Sequence, residues 1–355
     1  MKDIFLQDIS LIDVRSEGEF NQGSFPGTVN IPILDNEQRH LVGLTYKQEG
    51  QEKAMVLGHQ LVSGTDKENK IKAWIGHLRK HPKAILFCFR GGLRSQISQK
   101  WISEKNISVP IIEGGQKRLR NFLLDYLQSE VEKFPFLVIS GFTGSRKTKV
   151  LHNLKQYYRV LDLELAANHR GSAFGAVFES VQPTQIDFEN QLAVQLIKNE
   201  WINSKYILVE DESNSIGRVV VPQYITKKKN LAQHFILDVP LDQRVKNIRE
   251  EYVENLWESM KIKDQELFFN FFASSLDKIE KKFGLDQKKC CLAEIRTAIE
   301  YQVEMDSYEK HDLWIARLLT YYYDPLYLKS LKKKEHLVAG RGDERGLKEF
   351  LKLVF

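Results

Sequence analysis

The stretch "ILFCFRGGLRSQ", residues 85–96, passes from a short apolar run through a glycine- and arginine-rich turn into helix-forming residues. A short apolar run closed by turn residues predicts a buried strand. Similar runs occur in "ISLIDVRS" (9–16) and "VPIIEGG" (109–115), and "SQISQKWISEKN" (95–106) has helical spacing of its apolar residues. Strands that alternate with helices predict an α/β fold with a parallel sheet.

The turn after the apolar run predicts a reactive cysteine. Cys88 ends the predicted strand and is followed by Arg90, Gly91, Gly92 and Arg94. In such a turn, backbone N–H groups and the start of the next helix stabilise a thiolate and bind an oxyanion. Arg94 is expected to close on an anionic ligand with bidentate geometry. Arg90 is predicted to face either this turn or a phosphate of a polyanionic partner, and both alternatives stay open.

The residues around Cys88 leave two reaction classes open. The six-residue spacing from Cys88 to Arg94 matches phosphatases with a C-x5-R loop, which form a phosphocysteine. The same cradle is used by rhodaneses, which carry sulfur or selenium on the cysteine. A buried structural cysteine is the third alternative, and the neighbouring glycines and arginines make it the weakest.

The composition predicts a water-soluble protein with reduced cysteines. The 355 residues are 42% hydrophobic and 28% charged, with a formal net charge of +5. The length predicts two domains or more, and the mild basic excess is compatible with a polyanionic partner. No apolar run approaches the roughly 20 residues of a membrane span, and the early acidic residues do not fit a signal peptide. The three cysteines have neither disulfide nor zinc spacing, so a cytoplasmic location is expected.

A second strand-to-helix turn lies in "FLVISGFTGSRKTKV", residues 136–150. It fits the phosphate-binding P-loop motif G-x-x-x-x-G-K-[ST], in which backbone N–H groups and a lysine surround phosphates. The residues predicted to bind a diphosphate are Gly141, Thr143, Gly144, Ser145, Lys147 and Thr148. Arg146 stands where the motif has its second glycine, and we expect it either to crowd the loop or to point outward.

Residues downstream extend the prediction for this second unit. Asp211 ends the apolar run of "YILVEDES" (206–213), where it is predicted to support a metal ion, with a solvated strand end as the alternative. Arg244 and Arg249 follow a further strand and are expected to reach the phosphates. The chain beyond residue 241 has helical spacing and no clear strand. The predicted domains are a parallel-sheet domain (1–133), a P-loop domain (134–240) and a helical C-terminal region (241–355).

Several longer stretches carry a family resemblance. "LIDVRSEGEFNQGSFPGTVNIP" (11–32) and "IIEGG" (111–115) resemble rhodanese domains, a fold that some phosphatases share. Joined to a P-loop, this domain resembles the tRNA 2-selenouridine synthase family, whose own stretches recur over residues 8 to 250. They are "RHLVGLTYKQEGQEKAMVLGHQLVSG" (39–64), "CFRGGLRSQ" (88–96), "DLELAANHRGSAFG" (162–175), "QPTQIDFEN" (182–190) and "EDESNSIGR" (210–218). The family normally has glycine where this chain has Arg146.

The resemblance implies a two-step reaction on tRNA. The substrate would be 2-thiouridine at the wobble position, which receives a geranyl group from geranyl diphosphate; selenium from selenophosphate then replaces the geranylated sulfur. The P-loop would hold the diphosphate, with Mg²⁺ as a possible cofactor and no metal ligand certain, and Cys88 would serve the selenium step. His169, Arg170 and Ser172 would lie near the substrate, although an ordinary structural role is the alternative for His169. The oligomeric state is not predicted.

Three other functions remain as alternatives at this stage. The first is a rhodanese-type sulfurtransferase or C-x5-R phosphatase with a non-functional P-loop, which Arg146 keeps open. The second is a tRNA-binding protein without catalysis, and the third is a nucleotide kinase. RNA contact is weakly predicted for the tyrosines and lysines of "LLTYYYDPLYLKSLKKKEHL" (318–337) and for "ITKKKN" (225–230). Cys290 and Cys291 are predicted to pack in a core.

Overall fold

A computed structural model describes residues 1–171, 174, 181–260 and 262–354. Packing divides the chain into two compact units. The N-terminal unit contains residues 1–130 and 183–200, and the C-terminal unit contains residues 131–182 and 201–355. Each unit is built around its own parallel sheet.

The secondary structure alternates between strands and helices in both halves of the sequence. Up to residue 133 the elements are α1 (Lys2–Leu6), β1 (Leu11–Asp13), α2 (Glu17–Asn21), β2 (Thr28–Asn30), α3 (Asn36–Glu49), α4 (Gln51–Leu61), α5 (Gly64–Lys80), β3 (Ile85–Phe87), α6 (Leu93–Ser103) and α7 (Gly115–Lys133). They continue with β4 (Phe136–Gly141), α8 (Lys147–Leu154), β5 (Arg159–Leu161), α9 (Leu163–Ala167), α10 (Gln185–Lys198), β6 (Ile207–Glu210), β7 (Ser215–Ile216), β8 (Val219–Val220), α11 (Gln223–Leu231), β9 (Gln233–Leu237) and α12 (Leu241–Ile248). The last are α13 (Asn255–Ser259), α14 (Gln265–Phe283), α15 (Leu285–Met305), α16 (His311–Leu318), α17 (Asp324–Lys334), β10 (Val338–Gly342) and α18 (Glu344–Val354), with π-helical turns at Arg249–Glu254 and Leu319–Tyr323 and a 3₁₀ turn at Glu335–Leu337.

The N-terminal sheet has the strand order β2-β1-β3 and is parallel throughout. Its central strand is wholly apolar except for Asp13, whose buried carboxylate accepts from the guanidinium of Arg15 at 2.7 Å. Arg15 also donates to the carbonyl of Gly23 at 2.8 Å, so this buried ion pair ties the end of β1 to the loop before β2. Aliphatic side chains of the sheet pack with Trp74 and Trp101 in one core.

Residues 183–200 pack with the N-terminal unit, although the sequence placed them in the P-loop domain. The helix α10 begins with a capping box, in which Thr184 and Asp187 satisfy each other's backbone N–H groups. Asp187 also accepts from the N–H of Ser24 at 2.7 Å, and Asn190 accepts from Arg120 at 2.7 Å. These polar contacts explain why the stretch 182–190 carries so many polar residues on an otherwise apolar helix.

The C-terminal sheet has the order β10-β9-β4-β6-β5, and all its strand pairs are parallel. Every residue of the central strand β4 is buried, as expected for a parallel sheet covered on both faces. The predicted α/β class is confirmed, as is the largely helical C-terminal region. That region is not a separate unit, since it packs within the C-terminal unit.

The sequence predicted no strand beyond residue 241, and this prediction is wrong. The strand β10 pairs with β9 at the edge of the sheet. Its sequence, VAGRG, contains two glycines and only one β-branched residue, so it lacks the usual composition of a strand. Among the described residues, no helix is both long enough and apolar enough to cross a bilayer.

Candidate functional site

Cys88 lies directly after β3, where the chain turns into α6. The side chain is buried, and its sulfur lies 3.3 Å from the hydroxyl of Ser95. That hydroxyl donates to the carbonyl of Gly92 at 3.0 Å, and Gly92 is the N-cap of α6. The first turn of a helix has N–H groups without intrahelical partners, so the thiol lies at the positive end of a helix dipole. We call residues 88–92 the cysteine loop.

Two glycines outside α6 allow the cysteine loop to close. Gly115 has φ +57°, and a Cβ at this position would lie 2.2 Å from the carbonyl oxygen of Cys88. Gly91 has φ +64°, and its Cβ would lie 2.7 Å from the N–H nitrogen of Gly114. Side chains would therefore collide with backbone at both places, which explains the first glycine of "CFRGG" and the second glycine of "IIEGG".

Arg94 contacts a carboxylate of the N-terminal unit instead of the cysteine loop. Its guanidinium forms a bidentate ion pair with Glu19, with one nitrogen–oxygen distance of 3.1 Å. Burial alone would raise the pKa of Glu19, but the hydrogen bond and charge of Arg94 outweigh it and hold that pKa below its usual value. Arg90 is exposed and lies over the ring of Phe89 at 5.8 Å.

A cavity of about 540 Å³ opens beside Cys88. Its walls come from α3, α4, the cysteine loop and α6. The stretch 39–64, for which sequence reasoning had only a family resemblance, forms all of α4 and most of α3. This stretch therefore shapes the space that Cys88 faces.

The second predicted turn, which we call the glycine-rich loop (residues 141–148), connects β4 to α8. This is the strand–loop–helix context that a P-loop requires. The ammonium of Lys147 donates to the carbonyl of Gly141 at 2.9 Å, so it lies across the loop. Ser145 is buried, and Thr148 donates from its hydroxyl to Glu164 at 2.7 Å.

Arg146 takes the backbone conformation that glycine usually supplies. Its φ of 58° and ψ of 34° are left-handed, at the N-cap of α8. The side chain points outward and forms an ion pair with Glu250. The loop thus keeps its backbone path at the cost of about 1–2 kcal/mol of local strain.

Sequence reasoning missed three carboxyl groups beside the glycine-rich loop. Glu164 and Glu212 share a hydrogen bond, and both converge on Gly171, where a Cβ would lie 2.1 Å from Glu212 and 2.8 Å from Glu164. Burial, together with the charge of Glu212, raises the pKa of Glu164 to about 8. Burial also raises the pKa values of Glu210 and Glu212. At neutral pH this group therefore retains a proton close to Thr148 and Lys147.

The acidic run at the end of β6 could have revealed part of this group. Glu210 is the last residue of the strand, and Asp211 and Glu212 follow it directly. Asp211, the predicted metal-supporting residue, pairs with Lys334 at 2.7 Å and accepts from Ser140 at 2.9 Å. Burial would raise its pKa, but Lys334 outweighs that effect and lowers it.

The predicted phosphate arginines are held by carboxylates from the C-terminal helices. Arg244 is buried and forms two hydrogen bonds of 2.8 Å to Asp324, the first residue of α17. It also donates to the carbonyl of Thr143 at 3.3 Å, so it braces the glycine-rich loop from behind. Arg249 pairs with Glu254 and Asp312.

Comparison with known proteins identifies the family. Residues 134–354 match the family model described as the tRNA 2-selenouridine synthase AAA domain. Relatives named tRNA 2-selenouridine synthase include one from Marinobacter nauticus, which is 41% identical over 98% of this chain and 95% of the relative. Those from Nitrosomonas europaea and Shewanella oneidensis are each 40% identical, over 98% and 99% of this chain and 96% and 93% of the relatives. The chain belongs to the tRNA 2-selenouridine synthase family.

Two of the three residues of the stretch 162–175 that were predicted to lie near the substrate, His169 and Arg170, are among the described residues. His169 is half-buried, and burial and the charge of Lys278 lower its pKa, so its ring is neutral at neutral pH. Arg170 donates to the carbonyl of Glu251 at 3.1 Å and lies over the ring of Tyr252. Ser172 lies outside the described residues.

The basic stretches expected to contact RNA have internal partners in this member of the tRNA 2-selenouridine synthase family. Lys228 and Lys229 donate to backbone carbonyls of Glu132 and Glu212, respectively. On α17, Lys334 is held by Asp211, and the ring of Tyr327 lies 4.5 Å from that of Phe142. Lys228, Lys229 and Lys334 thus brace the C-terminal unit, while Lys227, Lys329, Lys332 and Lys333 stay exposed.

The paired cysteines of α15 differ in environment. Cys291 is buried as predicted, but Cys290 is exposed, so core packing is wrong for it. Adjacent residues on a helix point about 100° apart, which prevents both from facing the same core.

Proposed function

We propose that the chain converts wobble 2-thiouridine in tRNA to 2-selenouridine through an S-geranylated intermediate, with geranyl diphosphate and selenophosphate as co-substrates. The observation that supports this most directly is the pairing of two sites in one member of the tRNA 2-selenouridine synthase family. One is a glycine-rich loop suited to a diphosphate, and the other is a thiol at a helix N-terminus in the wall of a cavity.

The glycine-rich loop would serve the geranyl step. Backbone N–H groups and the ammonium of Lys147 would bind the diphosphate of geranyl diphosphate. The sulfur of 2-thiouridine attacks the first carbon of the geranyl chain, the carbon–oxygen bond breaks, and pyrophosphate leaves with the electron pair. The left-handed backbone and outward side chain of Arg146 support a functional loop, and this makes a sulfurtransferase or phosphatase with a non-functional P-loop the weaker alternative.

Mg²⁺ fits this loop through oxygen ligands. Among the described residues, no three His, Cys, Asp or Glu side chains are grouped to hold a metal ion by themselves. Mg²⁺ commonly needs only one or two carboxylates in addition to water and substrate phosphates. Thr148, Glu164 and Glu212 would supply these oxygens, and one buried oxygen of Glu210 has no hydrogen-bond partner among the described residues. A bound ion would neutralise charge on the leaving pyrophosphate.

The cysteine loop would serve the selenium step. Selenium of selenophosphate attacks C2 of the base, and the C2–S bond breaks with its electron pair on sulfur. Water then cleaves the Se–P bond and releases phosphate, which leaves 2-selenouridine. The thiol of Cys88, 3.3 Å from the Ser95 hydroxyl, would give a proton to the departing geranyl thiolate.

A nucleoside mass analysis of three proteins tests this function. Wild type, Cys88→Ser and Lys147→Ala are each incubated with 2-thiouridine tRNA, geranyl diphosphate and selenophosphate. We expect 2-selenouridine from wild type and accumulated geranylated uridine from Cys88→Ser. Lys147→Ala should form neither product from 2-thiouridine tRNA, yet it should selenate tRNA that was geranylated beforehand. No modified uridine from wild type, or full selenation by Cys88→Ser, would overturn the proposal.

A further inference from the structure

The cavity beside Cys88 is apolar at its buried end. Val62 and Trp101, which are 2% and 4% exposed, line this end. The half-buried side chains of Val42 and Met55 continue the apolar wall toward solvent. A base or a diphosphate would lose hydrogen bonds to water in such a space without replacing them, which is costly. The buried end therefore favours a hydrocarbon.

The exposed end of the same cavity is cationic. Arg39, Arg90 and Arg94 all line it, and Arg39 and Arg90 reach solvent. Two of the three share one carboxylate: Arg94 is bidentate to Glu19, and the Nε of Arg39 lies 3.6 Å from the same group. A single carboxylate thus leaves net positive charge at this end. The cavity suits an apolar chain attached to an anionic molecule such as RNA.

We propose that this cavity binds the prenyl chain of the S-geranylated uridine, with the thioether at Cys88 and the RNA backbone at the arginines. This inference rests on the proposed function and goes beyond it, because it assigns the hydrocarbon to the cysteine loop and not to the glycine-rich loop. Binding of the prenyl chain in the cavity then places C2 of the base beside the thiol of Cys88. Residues 39–64 have their role here, since α3 and α4 contribute the apolar side chains of Val42, Tyr46, Ala54 and Met55 to the wall.

The length of the alkyl group on the sulfur provides the test. Fluorescent anticodon stem-loops that carry S-methyl, S-dimethylallyl or S-geranyl 2-thiouridine are titrated with the protein, and binding is measured by anisotropy. Each buried CH₂ is worth about fourfold in affinity, so we expect S-geranyl to bind at least about 30-fold more tightly than S-methyl. Because binding is measured without selenophosphate, the result does not depend on catalysis.

A matched pair of variants tests whether the prenyl group binds in this cavity. Met55→Trp places a large ring in the cavity, whereas Val56→Trp puts the same ring on the solvent side of the same helix, where Val56 is 57% exposed. Met55→Trp should reduce the preference for S-geranyl to within about threefold of S-methyl, and Val56→Trp should keep it. Circular dichroism confirms that both variants are folded.

Each result then has a defined meaning. Equal affinity of wild type for the three stem-loops, or an equal response of the two variants, would overturn the cavity assignment. Selenation of S-geranyl tRNA by wild type, measured in parallel, tests the proposed function separately. A protein that selenates this tRNA without chain-length preference would retain its function and lose only the prenyl site.

Discussion

The cysteine loop and the glycine-rich loop have the same local plan and different support. Each follows the carboxyl end of a parallel strand and enters a helix. The cysteine loop is closed by glycines at most 27 residues away, through backbone packing against Gly114 and Gly115. The glycine-rich loop is braced by residues remote in sequence. Arg244, which contacts Thr143, lies 101 residues after it, and Asp324, which holds Arg244, lies another 80 residues along the chain.

This difference separates a loop fixed by backbone shape from a loop fixed by charge. A backbone fit tolerates little variation at the glycines but needs no remote partner. A charge network depends on every member, because a buried arginine that loses its carboxylate partner lowers the free energy of unfolding by several kcal/mol, about 3–5. The four predictions below test that contrast, from the largest expected effect to the smallest.

Removal of Asp324 should have the largest effect on stability. Asp324→Ala leaves the buried guanidinium of Arg244 without its bidentate partner. We expect a loss of about 3–5 kcal/mol in the free energy of unfolding, measured by urea denaturation. Glu294→Ala is the matched control, because Glu294 forms a similar bidentate pair with the more exposed Arg317. That variant should lose about 1 kcal/mol or less, and equal losses would contradict a buried brace.

Gly115→Ala should break the cysteine loop through backbone collision. Its Cβ would meet the carbonyl of Cys88, in addition to the strain of a left-handed conformation. Gly64→Ala is the control, because Gly64 has φ +52° and open space around its Cβ position. We expect about 1–2 kcal/mol of destabilisation for Gly64→Ala and clearly more for Gly115→Ala. Selenation should fall only in the latter, and similar denaturation midpoints would show that the contact is unimportant.

The parts that sequence could predict follow the same division. Both strand-to-helix turns, the α/β class and the burial of β4 come from residues adjacent in sequence, so local pattern was sufficient. The partners of Arg94, Asp211 and Arg244 come from remote helices, and no periodicity indicates which carboxylate meets which cation. The sequence of 318–337 likewise does not show that Lys334 pairs with Asp211 and not with RNA.

Two other differences have identifiable physical causes. Packing moved residues 183–200 to the N-terminal unit, where Asp187 and Asn190 find partners that a linear domain boundary cannot show. The Glu164–Glu212 pair was missed for a different reason, since Glu212 lies after the end of β6 and the sequence does not show that it meets Glu164.

Arg146→Gly should stabilise the glycine-rich loop. Glycine relieves about 1–2 kcal/mol of left-handed strain, and the ion pair with the half-exposed Glu250 that is lost is worth about 0–1 kcal/mol. We expect a net gain of about 0.5–1 kcal/mol in the free energy of unfolding. Arg146→Ala keeps the strain and loses the ion pair, so it should be slightly less stable than wild type. A destabilised Arg146→Gly would show that the contact with Glu250 outweighs the strain.

The smallest expected effect is a pH dependence of the Glu19–Arg94 ion pair, whose arginine lies in the helix that follows the cysteine loop. The pKa of Glu19 is held below its usual value of 4.5, because Arg94 outweighs the effect of burial. A depressed carboxyl pKa contributes stability that is fully present above the unfolded-state value and is lost as pH falls through the folded-state value. Wild type should therefore exceed Glu19→Gln by about 0.5 kcal/mol or less near pH 7, and the difference should shrink below pH 4.5. Urea denaturation of both proteins across this range measures it. A constant difference would mean that Glu19 acts through its shape and not its charge, and the cysteine loop would then depend on backbone fit alone.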